Sequence, residues 1–275
     1  MPRELKKLDS NIRPGICMLE YSDTGAGKTG SAMTGIPRIL FLNKEPKDPR
    51  LVHSQIRPDY ADLADYYEFD GFEDEANFLN SLIERYRKGE RPYETIFHDG
   101  LTFTMANYKK DLEDSRYAAG MLNKDEKDRP RGLVDRTRIE RPDWSTIASL
   151  TARETKLLHE LSKFGIMTVS TAISQEYPKW NSTLRVAPSL TGQEFSKLVH
   201  GWFDTIGYIV KPFRILADGT NDPAKISFIT SDDGMSNSYM CRANPNLARA
   251  ELKYGPLPLD LTVLAKIIRG EYAIT

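Results

Sequence analysis

An apolar run that leads directly into a glycine-bearing loop constrains the fold of this chain most. Residues 16–21, ICMLEY, have the composition of a short buried strand. The loop SDTGAGKT follows without a break, and a brief helix is predicted over residues 29–34, before Gly35 and Pro37 end it. A second apolar strand, RILFLN, is predicted at residues 38–43. This order of strand, loop, helix and strand is typical of an α/β fold with a parallel sheet.

The loop fits the pattern of a phosphate-binding loop with one departure. Such a loop needs glycines that turn backbone N–H groups inward, a lysine for the terminal phosphates and a hydroxyl for magnesium. Gly25, Gly27 and Lys28 fill the first places, and Thr29 supplies the hydroxyl. Ser22 stands where the pattern has its first glycine. The residues expected to bind the nucleotide are Ser22, Asp23, Thr24, Gly25, Ala26, Gly27, Lys28, Thr29 and Gly30.

The same loop also matches the dinucleotide-binding pattern G-x-G-x-x-G. Gly25, Gly27 and Gly30 occupy the glycine positions, and Glu45 lies about 20 residues on, where an acid that binds a ribose is expected. Two features oppose this interpretation. Residues 22–24 separate the predicted strand from the first glycine, and the variable positions hold the Lys-Thr pair that triphosphate binding requires. A loop that binds nothing is a third alternative, and the sequence favours a triphosphate over both.

A second motif supplies a carboxylate at the end of another predicted strand. The segment YETIFHDG, residues 93–100, breaks at Asp99 and Gly100 after an apolar run. A triphosphate site needs a carboxylate at such a position, because it holds the magnesium ion or its waters opposite the loop hydroxyl. We therefore predict that Thr29 and Asp99 hold Mg²⁺ beside a bound ATP. The alternative is an ordinary Asp-Gly turn.

The remaining elements are predicted from their apolar spacing. A helix is predicted over residues 73–88, because Leu79, Leu82, Ile83 and Tyr86 share one of its faces. No clear period is present in the segment that precedes it. The other predicted elements are helices at 143–164 and 260–268 and strands at 166–172, 203–210, 225–230 and 239–243.

Strands alternate with helices in the first part of the chain and follow one another in the last part. This order predicts a mostly parallel central sheet flanked by helices, with an antiparallel C-terminal extension. Residues 1–14 are predicted to be a polar lead-in to a single domain, residues 15–275. The charged segment at about 106–142 is predicted to be an exposed, mobile insertion that is helical in part, over residues 107–119.

Composition excludes several classes of protein. The formal net charge of −1 gives no global field that would draw the protein to DNA or to a membrane. Two distant cysteines, Cys17 and Cys241, make a poor disulfide framework. No apolar stretch is long enough to span a bilayer, and the charged first residues do not resemble a secretory signal. We therefore expect a cytoplasmic protein with no membrane partner.

Five segments, taken in order, resemble the RecA-like ATPases. These segments are YSDTGAGKT, ILFLNKE, TIFHDGLT, MTVSTAISQEY and FDTIGYIV, and they fall within residues 15–210. Within that class the chain is similar to the small nucleotide-binding ATPases of tailed phages that are implicated in single-strand annealing and recombination. The resemblance implies a RecA-like P-loop NTPase core and an ATP site near a subunit boundary. A ring or filament of identical subunits is therefore expected, in the host cytoplasm if a phage encodes the chain.

The resemblance also implies a role for each site residue. Lys28 would bind the β- and γ-phosphates, Thr29 and Asp99 would hold Mg²⁺, and Glu45 would polarise the attacking water. A solvated loop charge is the alternative for Glu45. Thr171, Ser174 and Gln175 are candidates for sensing the γ-phosphate, with Gln175 the first choice, although many phage relatives have a histidine where this chain has Ile173. The candidates for an arginine or lysine supplied to a neighbouring subunit's site are Arg185, Lys211 and Arg214.

Two polar segments are candidates for binding single-stranded DNA. In RecA-like proteins the corresponding loops face the axis along which the strand runs. The first segment supplies several arginines, and the second interleaves cations with aromatic rings, which suits phosphates and stacked bases. The alternative is an ordinary solvated surface, because acidic residues are mixed among the cations, and an ATPase that acts on a protein partner without DNA would then be the function. The candidate residues are Arg129, Arg131, Arg136, Arg138, Arg141, Tyr177, Lys179, Trp180 and Arg185.

Overall fold

The computed structural model describes residues 13–118, 141–178, 184–190, 201–210, 226–230 and 239–271. In these ranges the strands are β1 (Ile16–Ser22), β2 (Ile39–Asn43), β3 (Ala64–Glu68), β4 (Thr95–Asp99), β5 (Met167–Pro178), β6 (Leu184–Pro188), β7 (Thr205–Val210), β8 (Ser227–Ile229) and β9 (Leu257–Pro258). The helices are α1 (Lys28–Ser31), continued by a 3₁₀ turn (Ala32–Thr34), α2 (Arg50–Ile56), α3 (Tyr60–Leu63), α4 (Phe72–Arg87), α5 (Leu101–Ala118), α6 (Arg141–Ser162), α7 (Pro245–Tyr254) and α8 (Leu261–Ile268).

The strands form one mixed sheet in the order β3-β2-β4-β5-β1-β7-β8-β9, with β6 paired to β5. The six strands from β3 to β7 are parallel to their neighbours. Strand β8 runs antiparallel to β7, and β9 runs antiparallel to β8. The predicted α/β class, with a mostly parallel sheet flanked by helices and an antiparallel extension at its C-terminal end, is therefore confirmed.

Strand β1 lies in the middle of the sheet and is buried along its whole length. Ile16 and Met18 point to one face, where α7 and α8 pack. Cys17, Leu19 and Tyr21 point to the other face, where α5 and α6 pack. Because a parallel sheet is covered on both faces, its strands are continuous apolar runs, which explains why this strand was predictable.

The long helices pack by their predicted apolar faces. Leu79, Leu82, Ile83 and Tyr86 of α4 are all buried, as predicted. Helix α5 begins at Leu101, six residues before the predicted helix at 107–119, and the rest of the predicted insertion from 119 to 140 lies outside the described residues. None of the described helices has the length and apolar character of a segment that crosses a bilayer.

Among the described residues six elements were not predicted, namely α2, α3, β3, β6, α7 and β9, and one predicted strand is absent. The unassigned segment after β2 contains α2, α3 and β3. In the described sheet β3 pairs with β2, and most of its side chains are partly or fully exposed. Residues 239–243 make isolated bridges through Tyr239 and Arg242 where a strand was predicted. Helix α7 was missed although Pro245 begins it and the side chain of Asn244 caps it, accepting from the Asn246 N–H at 2.9 Å.

Candidate functional site

The glycine-bearing loop connects β1 to α1 at the edge of the sheet where the parallel strands end. Gly25 and Gly27 have φ angles of 78° and 105°, in the left-handed region that glycine enters without steric penalty. Among the described non-glycine residues only Arg38 has a positive φ, so Ser22 adopts an ordinary conformation. Serine at the first-glycine position is therefore compatible with this loop.

The side chain of Lys28 lies inside the loop and is 7% exposed. Its ammonium donates to the Ser22 carbonyl at 2.9 Å, to the Ser22 hydroxyl at 3.1 Å and to the Asp23 carbonyl at 2.9 Å. Burial lowers the pKa of Lys28, while the nearby carboxylate of Asp99 acts in the opposite direction. Three neutral oxygens thus hold a cation that an anion could bind more strongly.

Asp99 is fixed by two threonine hydroxyls that come from different parts of the chain. The Thr29 hydroxyl donates to Asp99 Oδ2 at 2.7 Å, and the Thr171 hydroxyl donates to Asp99 Oδ1 at 2.6 Å. Strand β5 separates β4, which carries Asp99, from β1. Because the Thr29 proton is directed at Asp99, the lone pairs of the Thr29 oxygen stay available to a cation. The structure therefore brings together the predicted residues Lys28, Thr29 and Asp99.

Glu45 follows β2 and lies in the same cavity as these three residues. The cavity has a volume of about 810 Å³, and the loop, Asp99 and Glu45 contribute to its wall. Glu45 is partly buried. Burial raises the pKa of Glu45, the carboxylate of Asp99 raises it further, and Lys28 partly offsets both. A carboxylate with a raised pKa is a better proton acceptor than a solvated one.

Strand β5 lies beside β4, as the RecA-like resemblance led us to expect. Of its three sensing candidates, Thr171 donates to Asp99, and the Ser174 hydroxyl donates to the Asp23 carboxylate. The Gln175 side-chain oxygen accepts from the Ser189 hydroxyl at 3.2 Å, next to β6. The β5 residue that lines the cavity is Ile173.

Helix α2 packs against α1 and forms part of the cavity wall, and the sequence did not reveal it. Its Leu51 and Val52 line the cavity and are 70% and 40% exposed. His53, on the buried side of the helix, accepts from the Tyr66 hydroxyl at 2.6 Å and donates to the Thr29 carbonyl at 2.9 Å. Burial lowers the pKa of His53, so the neutral ring is favoured. The histidine therefore joins α2 to the residue that contacts Asp99.

Glu20 is a buried carboxyl beneath the loop that also escaped prediction. It is fully buried on β1, and the Ser31 hydroxyl lies 2.5 Å from its Oε1 and 2.6 Å from the Lys28 carbonyl. In the described part of the chain its Oε2 has no hydrogen-bond partner. Burial raises the pKa of Glu20 to about 8. One hydroxyl proton cannot serve two acceptors, so a protonated Glu20 fits these contacts best. The one sequence signal was a single charge within ICMLEY.

A buried ionic cluster lies behind Glu45 and Asp99. The fully buried ammonium of Lys44 contacts the Glu75 carboxylate of α4 and lies 3.3 Å from Glu154 Oε1 of α6. His98 Nε2 lies 3.0 Å from the same Glu154 oxygen, and the Tyr108 hydroxyl of α5 donates to the other at 2.5 Å. The cluster therefore ties the ends of β2 and β4 to three helices, and its residues were not assigned a role from the sequence.

The two carboxyls of this cluster differ in their proton affinity. Burial raises the pKa of Glu75, and the neighbouring Glu154 carboxylate raises it further. Burial alone would raise the pKa of Glu154 too, but the charges of Lys44 and His98 lower it below its ordinary value. Glu154 is therefore the more readily ionised carboxyl of the two, although the Lys44 ammonium contacts Glu75 more closely.

The predicted DNA contacts fall mainly on residues that the structure does not describe. Of Arg141, Tyr177 and Arg185 only the backbone is described, in α6, β5 and β6. The candidates outside the described ranges are Arg129, Arg131, Arg136, Arg138, Lys179 and Trp180, together with Lys211 and Arg214.

Protein ligands alone do not form a metal site in the described ranges, where no group of three or more His, Cys, Asp or Glu side chains is suitably arranged. A cation at Thr29 and Asp99 would need further ligands, such as phosphate oxygens and waters.

Compared with models of known protein families, the sequence matches none. A comparison with curated proteins also finds no match. Any function must therefore be argued from the geometry of this site.

Proposed function

We propose that the chain is a Mg²⁺-dependent ATPase with a RecA-like P-loop core. The observation that carries the proposal is the hydrogen bond from Thr29 to Asp99, next to the buried ammonium of Lys28. A hydroxyl after a loop lysine and a carboxylate at a separate strand end are what a magnesium triphosphate requires. The pairing of β5 with β4 also agrees with the RecA-like resemblance.

Lys28 would bind the triphosphate by exchanging its present partners. Its ammonium is held by Ser22 and Asp23 oxygens, two of them backbone carbonyls. Phosphate oxygens carry full charge and form stronger hydrogen bonds to an ammonium than carbonyls do. The loop glycines Gly25 and Gly27 allow the backbone to approach the phosphates closely.

Thr29 and Asp99 fit the role of magnesium ligands. Both offer hard oxygen donors, which Mg²⁺ prefers, and the Asp99 carboxylate is oriented by two hydroxyls. When bound with ATP, Mg²⁺ would neutralise charge on the β- and γ-phosphates. The contribution of the chain is to hold Thr29 and Asp99 at a fixed separation, so that little reorganisation is needed on binding.

Glu45 would orient the attacking water and accept its proton. It lies in the cavity with Lys28 and Asp99, and the raised pKa of Glu45 increases its basicity. A base must reach the proton it removes, and Glu45 lines the cavity in which the triphosphate and its attacking water would lie. Attack in line with the leaving phosphate would follow.

The exposed apolar side of α2 suits the base of the nucleotide. Leu51 and Val52 line the cavity with exposed side chains, which an aromatic ring would cover. Burial of apolar surface stabilises such a contact by about 25 cal/mol per Å². These side chains offer no hydrogen bond to a base edge, so ATP and GTP would be distinguished weakly at this wall.

Single-stranded DNA is the proposed partner, and identical subunits are proposed to assemble on it as a ring or a filament. Support comes from the cations and aromatic residues of the two polar segments, together with the RecA-like resemblance. ATP turnover would be coupled to recombination, annealing or replication.

ATP hydrolysis by the full chain tests this proposal. Phosphate release is measured with single-stranded DNA, with duplex DNA and without DNA, in the presence of Mg²⁺. We expect turnover that single-stranded DNA increases more than duplex DNA does. Turnover that neither DNA changes would favour an ATPase that acts on a protein partner, and the absence of turnover under all three conditions would refute the ATPase.

A charge-matched pair of variants tests the DNA contact. One variant replaces Arg129, Arg131, Arg136 and Arg138 with Gln, and the control replaces the exposed cations Arg85, Arg87, Lys88 and Arg91. We expect the first to lose binding to single-stranded DNA and the dependence of that binding on salt, because phosphate contacts release counterions. Equal binding by both variants would contradict the DNA contact.

A thermal-shift comparison separates the triphosphate from the dinucleotide interpretation of the loop. We expect Mg-ATP to raise the melting temperature of the chain and NAD to leave it unchanged, because a ligand that binds the folded state stabilises it. The opposite result would assign the loop to a dinucleotide.

A further inference from the structure

We infer that Thr171 is a positioning residue that sets the orientation of the Asp99 carboxylate for the divalent cation. The inference rests on the proposed function and goes beyond the sensing role for which Thr171 was a candidate. Its hydroxyl donates to Asp99 Oδ1 at 2.6 Å, while the other carboxylate oxygen accepts from Thr29 at 2.7 Å. Asp99 is therefore held between two hydroxyl groups.

The contact between Thr171 and Asp99 is shielded from water. Each of the two residues is 1% exposed, so water cannot replace the hydroxyl if it is removed. A buried carboxylate oxygen without a donor is costly in its ionised form. Loss of the Thr171 hydroxyl would therefore leave Asp99 Oδ1 without its donor and would free the carboxylate to turn away from the cation.

The backbone after Asp99 is shaped for this contact. A Cβ atom built on Gly100 would lie 2.5 Å from Thr171 Oγ1, a distance that no real Cβ contact shows. Any residue larger than glycine at this position would displace the hydroxyl. The Asp-Gly pair is thus more than a turn, because glycine lets Thr171 reach the carboxylate, and α5 begins at the next residue.

The geometry also indicates that loss of the Thr171 hydroxyl should lower the affinity of the site for the cation. With Oδ1 fixed by Thr171, the Asp99 carboxylate cannot rotate, and Oδ2 stays directed at Thr29. Second partners of this kind orient metal ligands, and their loss typically costs about 10- to 100-fold in metal affinity. Nucleotide binding through Lys28 does not involve this contact and should persist without the cation.

Thr168 provides a matched control on the same strand. It is also buried, but its hydroxyl donates to the Ile16 carbonyl at 3.3 Å and not to Asp99. Thr168→Val and Thr171→Val therefore remove the same atom from β5, and only the second change reaches the carboxylate. Thr171→Ser restores the hydroxyl in a smaller side chain.

The test is Mn²⁺ binding to the full chain, measured by electron paramagnetic resonance with a non-hydrolysable ATP analogue. We expect Thr171→Val to weaken Mn²⁺ binding about 10- to 100-fold. The Thr171→Ser and Thr168→Val variants should bind Mn²⁺ nearly as the wild type does. Binding of the analogue without metal should be unchanged in all variants, which separates lost positioning from lost folding.

Three results would overturn the inference. They are wild-type Mn²⁺ affinity in Thr171→Val, an equal loss in Thr168→Val, and failure of Thr171→Ser to restore affinity. Should Thr171→Val not fold, Thr171→Cys is the second variant, because a thiol is a weak donor, and wild-type affinity there would also overturn the inference. If the wild type itself binds neither Mn²⁺ nor the analogue, the proposed function fails first.

Discussion

The Thr29 hydroxyl donates to Asp99 Oδ2 at 2.7 Å, although the two residues are 70 positions apart. Thr29 lies in α1, which follows β1, and Asp99 ends β4, with β5 between these two strands. The contact forms because parallel strands end at the same edge of the sheet, which is where ligands bind in open α/β folds. It brings a hydroxyl and a carboxylate beside the Lys28 ammonium.

Replacing Lys28 with methionine should abolish ATP turnover while the chain stays folded. The change removes the cation that would hold the terminal phosphates, so we expect a rate loss of about 100-fold or more. Melting temperature should stay close to that of the wild type, because the change also removes a desolvated charge. Phosphate release and circular dichroism measure the two effects. Lys163→Met, an exposed lysine on the surface, is the control, and equal activity of both variants would refute the role of Lys28.

Replacing Glu45 with glutamine should lower the turnover rate and leave nucleotide binding intact. A general base contributes about 100- to 10,000-fold to a rate. Burial raises the pKa of Glu45 above the ordinary 4.5. As the pH is lowered through this raised pKa, the carboxylate takes up a proton and the wild-type rate should fall. This decrease of the rate at low pH should be absent in Glu45→Gln. Exposed Glu90→Gln should keep it, and wild-type turnover in Glu45→Gln would assign the base elsewhere.

Replacing Glu20 with glutamine should stabilise the chain at high pH and not at low pH. Burial raises the pKa of Glu20 from 4.5 to about 8 in the folded state, while the unfolded chain keeps the ordinary value. Protonated Glu20 therefore does not disfavour folding below pH 4.5. As the pH rises from 4.5 toward about 8, the unfolded chain releases this proton first, and the free energy of unfolding of the wild type falls. We expect the variant to gain on the order of 3–5 kcal/mol over the wild type by pH 9. Urea unfolding across this range measures the difference, and a constant difference, as expected for exposed Glu90→Gln, would contradict it.

Substitutions of Lys44 and Glu75 in the buried cluster should lower the free energy of unfolding by different amounts. Lys44→Met leaves the ionised Glu154 without its main partner, so we expect a loss of about 3–5 kcal/mol in the free energy of unfolding. Glu75→Gln should cost far less at neutral pH, because the raised pKa of Glu75 already favours its uncharged form. Urea titrations of both variants test this order, and the reverse order would show that Glu75 is the ionised partner of Lys44.

The central strands and the first residues of the site could be predicted because each lies in or directly after an apolar run. Strand β1 is covered on both faces, so its burial is visible as a run of apolar letters. Lys28, Thr29 and Asp99 follow such runs, and parallel strands bring their ends to one edge. Local sequence was sufficient for these features.

The parts that were missed depend on tertiary contacts. In α2 the apolar Leu51 and Val52 face the cavity, and the polar His53 is the buried residue, so the usual pattern of an amphipathic helix is reversed. Glu20 was missed because nothing in the sequence shows that a carboxyl in β1 is fully buried against the Ser31 hydroxyl. The link between Thr171 and Asp99 depends on the pairing of β5 with β4, which spacing along the chain does not specify.

The central claim is tested most directly by calorimetric titration of the full chain with ATP. The titration is carried out with and without Mg²⁺, on the wild type and on Asp99→Asn. The wild type should bind ATP more tightly with Mg²⁺ than without it. Asp99→Asn, which keeps the shape of the side chain but removes its charge, should bind ATP equally under both conditions. Absence of ATP binding by the wild type, or a full Mg²⁺ effect in Asp99→Asn, would contradict a site built from Lys28, Thr29 and Asp99.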